Sequence, residues 1–306
     1  MKTKLFIVLL VIGSVLKAQD STATSAVKDT ETVPMWEKGA TFGVQFTQAS
    51  FHQWVAGGQN SYSYAGLANL YGNYTKNKVR WDNTLDMNYG SFKQGNTPLI
   101  KSDDRVEFNS VLGVEADKKW YYAGQLNYRT QFTPGYLMQD DAARLRISDV
   151  FAPAYVTLST GMEYRPKKNL SWLISPVTVK STWVLAPSLS AIGAFGVTPG
   201  ETLRNEFGGL TRVSWKDQLM KNVDIITNLS LFSNYSDQPQ NIDINWDLLM
   251  LFKVNKFLNF TFTTVLIYDH DVDVPKFDNE GNYLGRGKGV QFKEIFALGL
   301  TYSIKR

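Results

Sequence analysis

The sequence predicts an all-β protein, a transmembrane antiparallel β-barrel of about twelve strands with short turns at one end and longer loops at the other. Three observations lead there. From Ala40 onward the hydropathy repeats with a period of two residues. The connections alternate between short and long. Aromatic residues gather near both ends of the predicted strands.

The chain opens with the basic run Met1-Lys2-Thr3-Lys4, followed by an uncharged apolar stretch over 5–16 and then Lys17-Ala18-Gln19. A basic start, a short apolar stretch and a small residue at its exit describe a secretory signal peptide over 1–18, cut after Ala18. As a membrane helix the stretch is too short, since spanning takes ~20 apolar residues. Residues 19–38 are rich in Ser and Thr and aperiodic, and read as a flexible periplasmic leader. The barrel is then expected over 39–306. No later apolar run is long enough for a helix to cross a bilayer.

Composition narrows the chemistry. With no cysteine there is no disulfide, thiolate metal site, cysteine nucleophile or lipoprotein anchor. The 32 basic residues exceed the 28 acidic ones only slightly, and losing Lys2, Lys4 and Lys17 with the signal peptide nearly cancels the difference. Nucleic acid is therefore not an expected partner, and no cofactor is expected.

The alternation is explicit along the chain. Over 79–92 the apolar set Val79, Trp81, Leu85, Met87 and Tyr89 interleaves with Arg80, Asp82, Thr84, Asp86 and Asn88. Over 105–116, Val106, Phe108, Leu112 and Val114 alternate with Arg105, Glu107, Asn109 and Glu115. Over 120–132, Trp120, Tyr122, Leu126 and Tyr128 alternate with Gln125, Asn127 and Arg129, and over 242–252 Ile242, Ile244, Trp246, Leu248, Met250 and Phe252 alternate with Asp243, Asn245 and Asp247. Strands are expected at 39–50, 62–76, 78–92, 103–116, 119–133, 154–165, 169–180, 202–215, 222–235, 241–253, 257–269 and 290–304, with 181–201 either extending a strand or forming a packed loop. The last strand sets Phe292, Phe296, Leu298, Leu300, Tyr302 and Ile304 against Ala297, Gly299, Thr301 and Ser303. It resembles the terminal signal read by the outer-membrane assembly machinery, although it ends Ile-Lys-Arg instead of on an aromatic residue.

A soluble β-sandwich also alternates, so the connections and the aromatics decide. Tight connections at 76–78, 117–119, 166–169, 216–222 and 255–256 separate longer ones at 51–61, 93–102, 134–153, 181–201 and 270–289, with 236–240 a brief exception. Trp81, Trp120, Trp172 and Trp215 fall beside the short turns, and Tyr62, Tyr64, Tyr89, Phe132, Tyr155, Tyr235 and Tyr268 near the long loops. Two aromatic belts match the girdles of a barrel at its two membrane interfaces.

The non-apolar face carries the expected lumen network: Arg80, Asp82, Asp86, Arg105, Glu107, Arg129, Glu163, Arg212, Asp243 and Asp247, with Glu115, Glu206, Asp224 and Lys293. Both signs occur on the same strands, Arg80 two residues before Asp82 and Arg105 two before Glu107. Residues two apart on a strand share a face and can pair, so a charge-compensated interior is expected. A narrow charged passage is the alternative. The expected external loop surface comprises His52, Trp54, Gly57, Gly58, Asn60, Asp269, His270 and Asp271. Asp269, Asp271 and Asp273 have the spacing of an oxygen-rich cation site; the simpler reading is a solvated acidic loop meeting lipopolysaccharide, and no metal is expected. No Ser-His-Asp arrangement singles out a nucleophile.

The run Trp54-Val-Ala-Gly-Gly-Gln-Asn-Ser61 resembles the signature of a Bacteroidota outer-membrane barrel family of unassigned function. Phe151-Ala-Pro-Ala-Tyr155, Ser175-Pro-Val177, Phe195-Gly-Val197, Phe232-Ser-Asn-Tyr235 and Asp243-Ile-Asn-Trp246 also resemble that family. The resemblance implies an outer-membrane barrel in contact with lipid and lipopolysaccharide, and it supplies no catalytic residues. The expected function is an accessory or structural subunit of an outer-membrane complex, with a protein partner. A passive channel for small polar solutes is the alternative, and a membrane-embedded enzyme the third reading.

Overall fold

The computed structural model describes residues 35–52, 59–138, 144–278, 280 and 283–305. Its strands, in chain order, are β1 (Trp36–Ala49), β2 (Ser61–Lys76), β3 (Val79–Gln94), β4 (Ile100–Asp117) and β5 (Trp120–Thr130). A loop hairpin follows, β6 (Gly135–Met138) and β7 (Arg144–Ser148), then β8 (Ala154–Lys167) and β9 (Leu170–Trp183). Next come β10 (Leu203–Met220), β11 (Val223–Asn234), β12 (Ile242–Lys253) and β13 (Leu258–Tyr268). A second loop hairpin, β14 (Val274–Phe277) with β15 (Tyr283–Gly287), precedes the final strand β16 (Gln291–Lys305).

Twelve of these strands close on themselves in the order β1-β16-β13-β12-β11-β10-β9-β8-β5-β4-β3-β2. All twelve neighbouring pairs are antiparallel. Closure leaves no sheet edge along the paired lengths. The turns at one end are tight: Asn77 and Asn222 adopt positive φ of 53° and 67° in two of them, a conformation asparagine tolerates better than most residues.

Three details depart from the strand bounds read in the sequence. β1 starts at Trp36, inside the segment read as leader, because the Trp36 ring packs against Tyr74 and Trp81 at centroid distances of 5.2 and 6.1 Å. β10 continues to Met220, so the β10–β11 connection is a tight turn instead of a seven-residue one. After Trp183 the chain does not extend a strand. It forms a packed loop with a short helix at Pro187–Ser190, whose Val184, Ala186, Leu189, Ala194 and Val197 bury one another with Ala152.

β9 contains a bulge. Its partners step from Thr178 to Ser175 against β10 and from Val177 to Ile174 against β8, so Pro176 and Val177 both face outward. Proline, which has no N–H to give to a ladder, is at home at such a site. Gly161 on β8 lies opposite; a side chain there would strike the Ile174 carbonyl.

Candidate functional site

The alternation sorts the barrel wall into two faces. Outward lie exposed apolar residues such as Val44, Leu112, Tyr122, Leu158, Phe296 and Tyr302. Inward lie buried polar ones such as Arg80, Glu107, Gln125, Glu163, Glu206 and Asn259. A protein folded for water does the reverse.

Three tryptophans on the outer face are hydrogen-bonded within the wall. Trp81 Nε1–H donates to Ser110 Oγ at 2.8 Å, Trp172 Nε1–H to Thr211 Oγ1 at 2.7 Å, and Trp246 Nε1–H to Thr227 Oγ1 at 2.9 Å. Each hydroxyl sits on the neighbouring strand, two residues diagonal from the tryptophan's direct partner. Each passes its own proton on: Ser110 to Asn83 Oδ1, Thr211 to the Leu173 carbonyl, Thr227 to the Asp247 carbonyl. A donor left unpaired in hydrocarbon would be costly, and this relay removes the problem.

Inside, the charges form three clusters along the barrel. Nearest the short turns, Arg80 pairs with both Asp82 and Glu163, and Arg165 reaches Asp82 at 2.8 Å. Arg80 also lies over the ring of Tyr121, 5.3 Å from its centroid. At mid-height Glu107 lies 3.1 Å from both Arg105 and Arg129, and Arg105 Nη1 reaches Asp247 Oδ1 at 2.6 Å. Asp86 accepts from Asn69 at 2.6 Å, and Arg212 donates to Asn109 at 3.3 Å. β4 and β12, which carry Arg105 and Asp247, stand six strands apart in either direction round the ring. Their ion pair therefore spans the lumen at its full width.

Nearest the long loops, Lys180 is the hub. Its ammonium lies 2.6 Å from Asp243, 3.1 Å from Asp269 and 3.4 Å from Glu206. Arg204 pairs with Glu206 at 2.6 Å and with Asp271. Gly196 of the packed loop leaves room for Arg204 and the Asp271 carbonyl, which a side chain there would strike. Separately, Lys293 pairs with Asp103 at 2.7 Å and Asp224 with Lys253 at 2.5 Å.

The ten residues read as a lumen network all face inward, divided among these clusters. The described residues of the expected loop surface lie in two places. Asp269 and Asp271 turn back to Lys180 and Arg204, while His270 accepts or donates at Nδ1 with the Tyr268 hydroxyl at 3.1 Å. Among the described residues no three His, Cys, Asp or Glu side chains are grouped to hold a metal ion. His52 is exposed, and Asn60 Oδ1 accepts from the Phe51 amide at 2.6 Å. Trp54, Gly57 and Gly58 lie outside the described residues, as do the expected signal peptide and most of the leader. Tyr155 is a correction: it pairs directly with Arg129 across β5 and β8 and so faces the lumen, not the membrane girdle.

Lys180, Arg165 and Arg204 were not among the residues expected in the network. Arg165 and Arg204 share the parity of Glu163 and Glu206, which was the available signal. Lys180 is different. Counting by twos from Trp172 puts it outside; only the bulge at Pro176 and Val177 turns it in.

Apolar outside, charged inside and closed, this is the fold of a transmembrane antiparallel β-barrel. A family model described as a protein of unknown function (DUF3078) matches residues 46–136. No curated protein matches the chain. Among solved structures, the chain is similar to the translocator domain of autotransporter NalP from Neisseria meningitidis, with 9% identity over 89% of this chain and 90% of that one and a TM-score of 0.39. It is also similar to the COG4313 outer membrane channel from Pseudomonas putida F1, with 11% identity over 92% of this chain and 100% of that one and a TM-score of 0.38.

Proposed function

We propose that this chain is an outer-membrane barrel of a Gram-negative bacterium whose lumen is held shut by charge, and that it serves as an accessory or structural subunit of an outer-membrane complex. The observation that carries the reading is the Arg105–Asp247 ion pair between opposite strands. Around it Glu107 and Arg129 leave both signs compensated, so the mid-height cluster is a plug made of wall residues. In this reading residues 1–18 are a cleaved signal peptide and the residues from 19 up to β1 a periplasmic leader. The tight turns are periplasmic, the long loops face lipopolysaccharide, and the assembly machinery engages β16 during biogenesis.

A narrow channel for small polar solutes is the second reading, since the same charged side chains would line its path. Solute flux separates the two. Liposomes holding the purified protein should stay as tight to small sugars as empty ones, whereas those holding the Arg105→Ala/Arg129→Ala variant should swell. Swelling with the unmodified protein would favour the channel.

A further inference from the structure

The junction that closes the barrel differs from the other eleven. β1 and β16 pair from Gly39↔Lys305 up to Gln45↔Gly299 and then part. β1 continues to Ala49 against β2, and β16 extends to Gln291 against β13. Among the described residues, 46–49 of β1 and 291–298 of β16 thus have a partner strand on one side only. In every other ladder the last rung at the long-loop end lies within one residue of the end of one of its two strands.

The paired half is latched. Thr41 Oγ1 and Ser303 Oγ share a hydrogen bond of 3.0 Å. Gln45 Nε2 reaches across β16 to Thr261 Oγ1 at 3.1 Å. A side chain at Gly299 would strike the Val44 carbonyl, so the backbones touch at the last rung. Beyond it, continued alternation gives the lumen face Thr47, Ala49, Gln291, Lys293, Ile295 and Ala297, with Lys293 already paired to Asp103. The outward flanks are Phe46, Phe292, Phe296 and Leu298, from 52% to 60% exposed, with the polar Gln48 and Glu294 among them. Two runs of backbone donors and acceptors are therefore unpaired with each other, beside the rings of Phe46 and Phe296.

Backbone groups left unpaired in hydrocarbon are strongly disfavoured. An acyl chain could cover the rings but offers no hydrogen bond. An extended backbone offers donors and acceptors on both of its sides at the spacing of a strand. β1 begins beside the tight turns, at the end of the barrel away from this seam. We propose that the half-open seam between β1 and β16 is a strand-addition site. Its occupant is an extended segment of a partner polypeptide that lays apolar residues beside Phe46, Phe296 and Leu298 and small residues beside Thr47 and Ala297. The inference rests on the membrane reading above, and its test is scored by crosslinking, independently of flux.

The sequence contains no cysteine, so engineered pairs report alone. In the purified protein in lipid bilayers, Thr41→Cys/Ser303→Cys should crosslink on oxidation. Thr47→Cys/Ala297→Cys, which lies at the same phase of the ladder if it continued, should give no such product. A synthetic peptide of residues 41–49, with cysteine in place of Thr47, should then crosslink to the Ala297→Cys protein. It should leave untouched a Ser159→Cys protein, whose cysteine lies on β8 between two fully paired neighbours. Ready closure of the Thr47→Cys/Ala297→Cys pair would overturn the proposal, because the seam would then zip itself. Equal peptide labelling at both single sites, dimers formed through Ala297→Cys, or labelling by an acyl-chain maleimide without a peptide product would overturn it too.

Discussion

At the scale of single residues, the side chains separate by which solvent they meet. Leu248 sits mid-strand on β12 and points outward between Trp246 and Met250, while its neighbours Asp247 and Leu249 point inward. Arginine in its place would sit in the apolar wall, at a cost of ~2–4 kcal/mol if the site lies at mid-membrane. Leu248→Arg, and Leu85→Arg on β3, should lower stability by that order in a reversible folding assay with liposomes; unchanged stability would mean that these residues do not face lipid. Lys180 makes the opposite case. It is the shared cation of Asp243, Asp269 and Glu206, so Lys180→Ala strands carboxylates that only Arg204 can answer. Breaking a buried pair on one side costs ~3–5 kcal/mol. Lys180→Ala should therefore destabilise the barrel more than Lys180→Met combined with Asp243→Asn, as read from urea unfolding in detergent micelles.

At the scale of elements, period-two hydropathy made the strands legible, and the tight turns fixed most of their ends. Where the period breaks, the reading breaks with it. β9 alternates correctly from Leu170 to Ser175, then Pro176 and Val177 take the same face and everything after them changes sides. Proline within a strand was the visible sign, and Gly161 across from it is the structural counterpart. Gly161→Val should drive a side chain into the Ile174 carbonyl. Overpacking of this kind costs ~1–3 kcal/mol, and a thermal melt followed by circular dichroism should show it. Ala in place of Thr157, an inward site on the same strand, should have a smaller effect. The connections were less legible than the strands. That Asp269 and Asp271 turn inward depends on where Lys180 and Arg204 wait, and no local pattern near residue 270 announces it.

At the scale of the whole molecule, the sequence revealed pairs two residues apart on one strand, such as Arg105 and Glu107, but not the pairs made across the lumen. Arg105 and Asp247 are 142 residues apart, and only the closure of twelve strands brings them together across the lumen. The wall is apolar outside and polar within, three of its outward tryptophans are hydrogen-bonded within the wall, and three ion-pair clusters cross or line the interior. A lumen filled in this way should resist ion flow until the spanning pair is removed. Single-channel recording in a planar bilayer measures that directly. The unmodified protein should show no sustained conductance, and Arg105→Ala/Arg129→Ala should open discrete current steps. Large, stable conductance from the unmodified protein would contradict the charge-closed lumen.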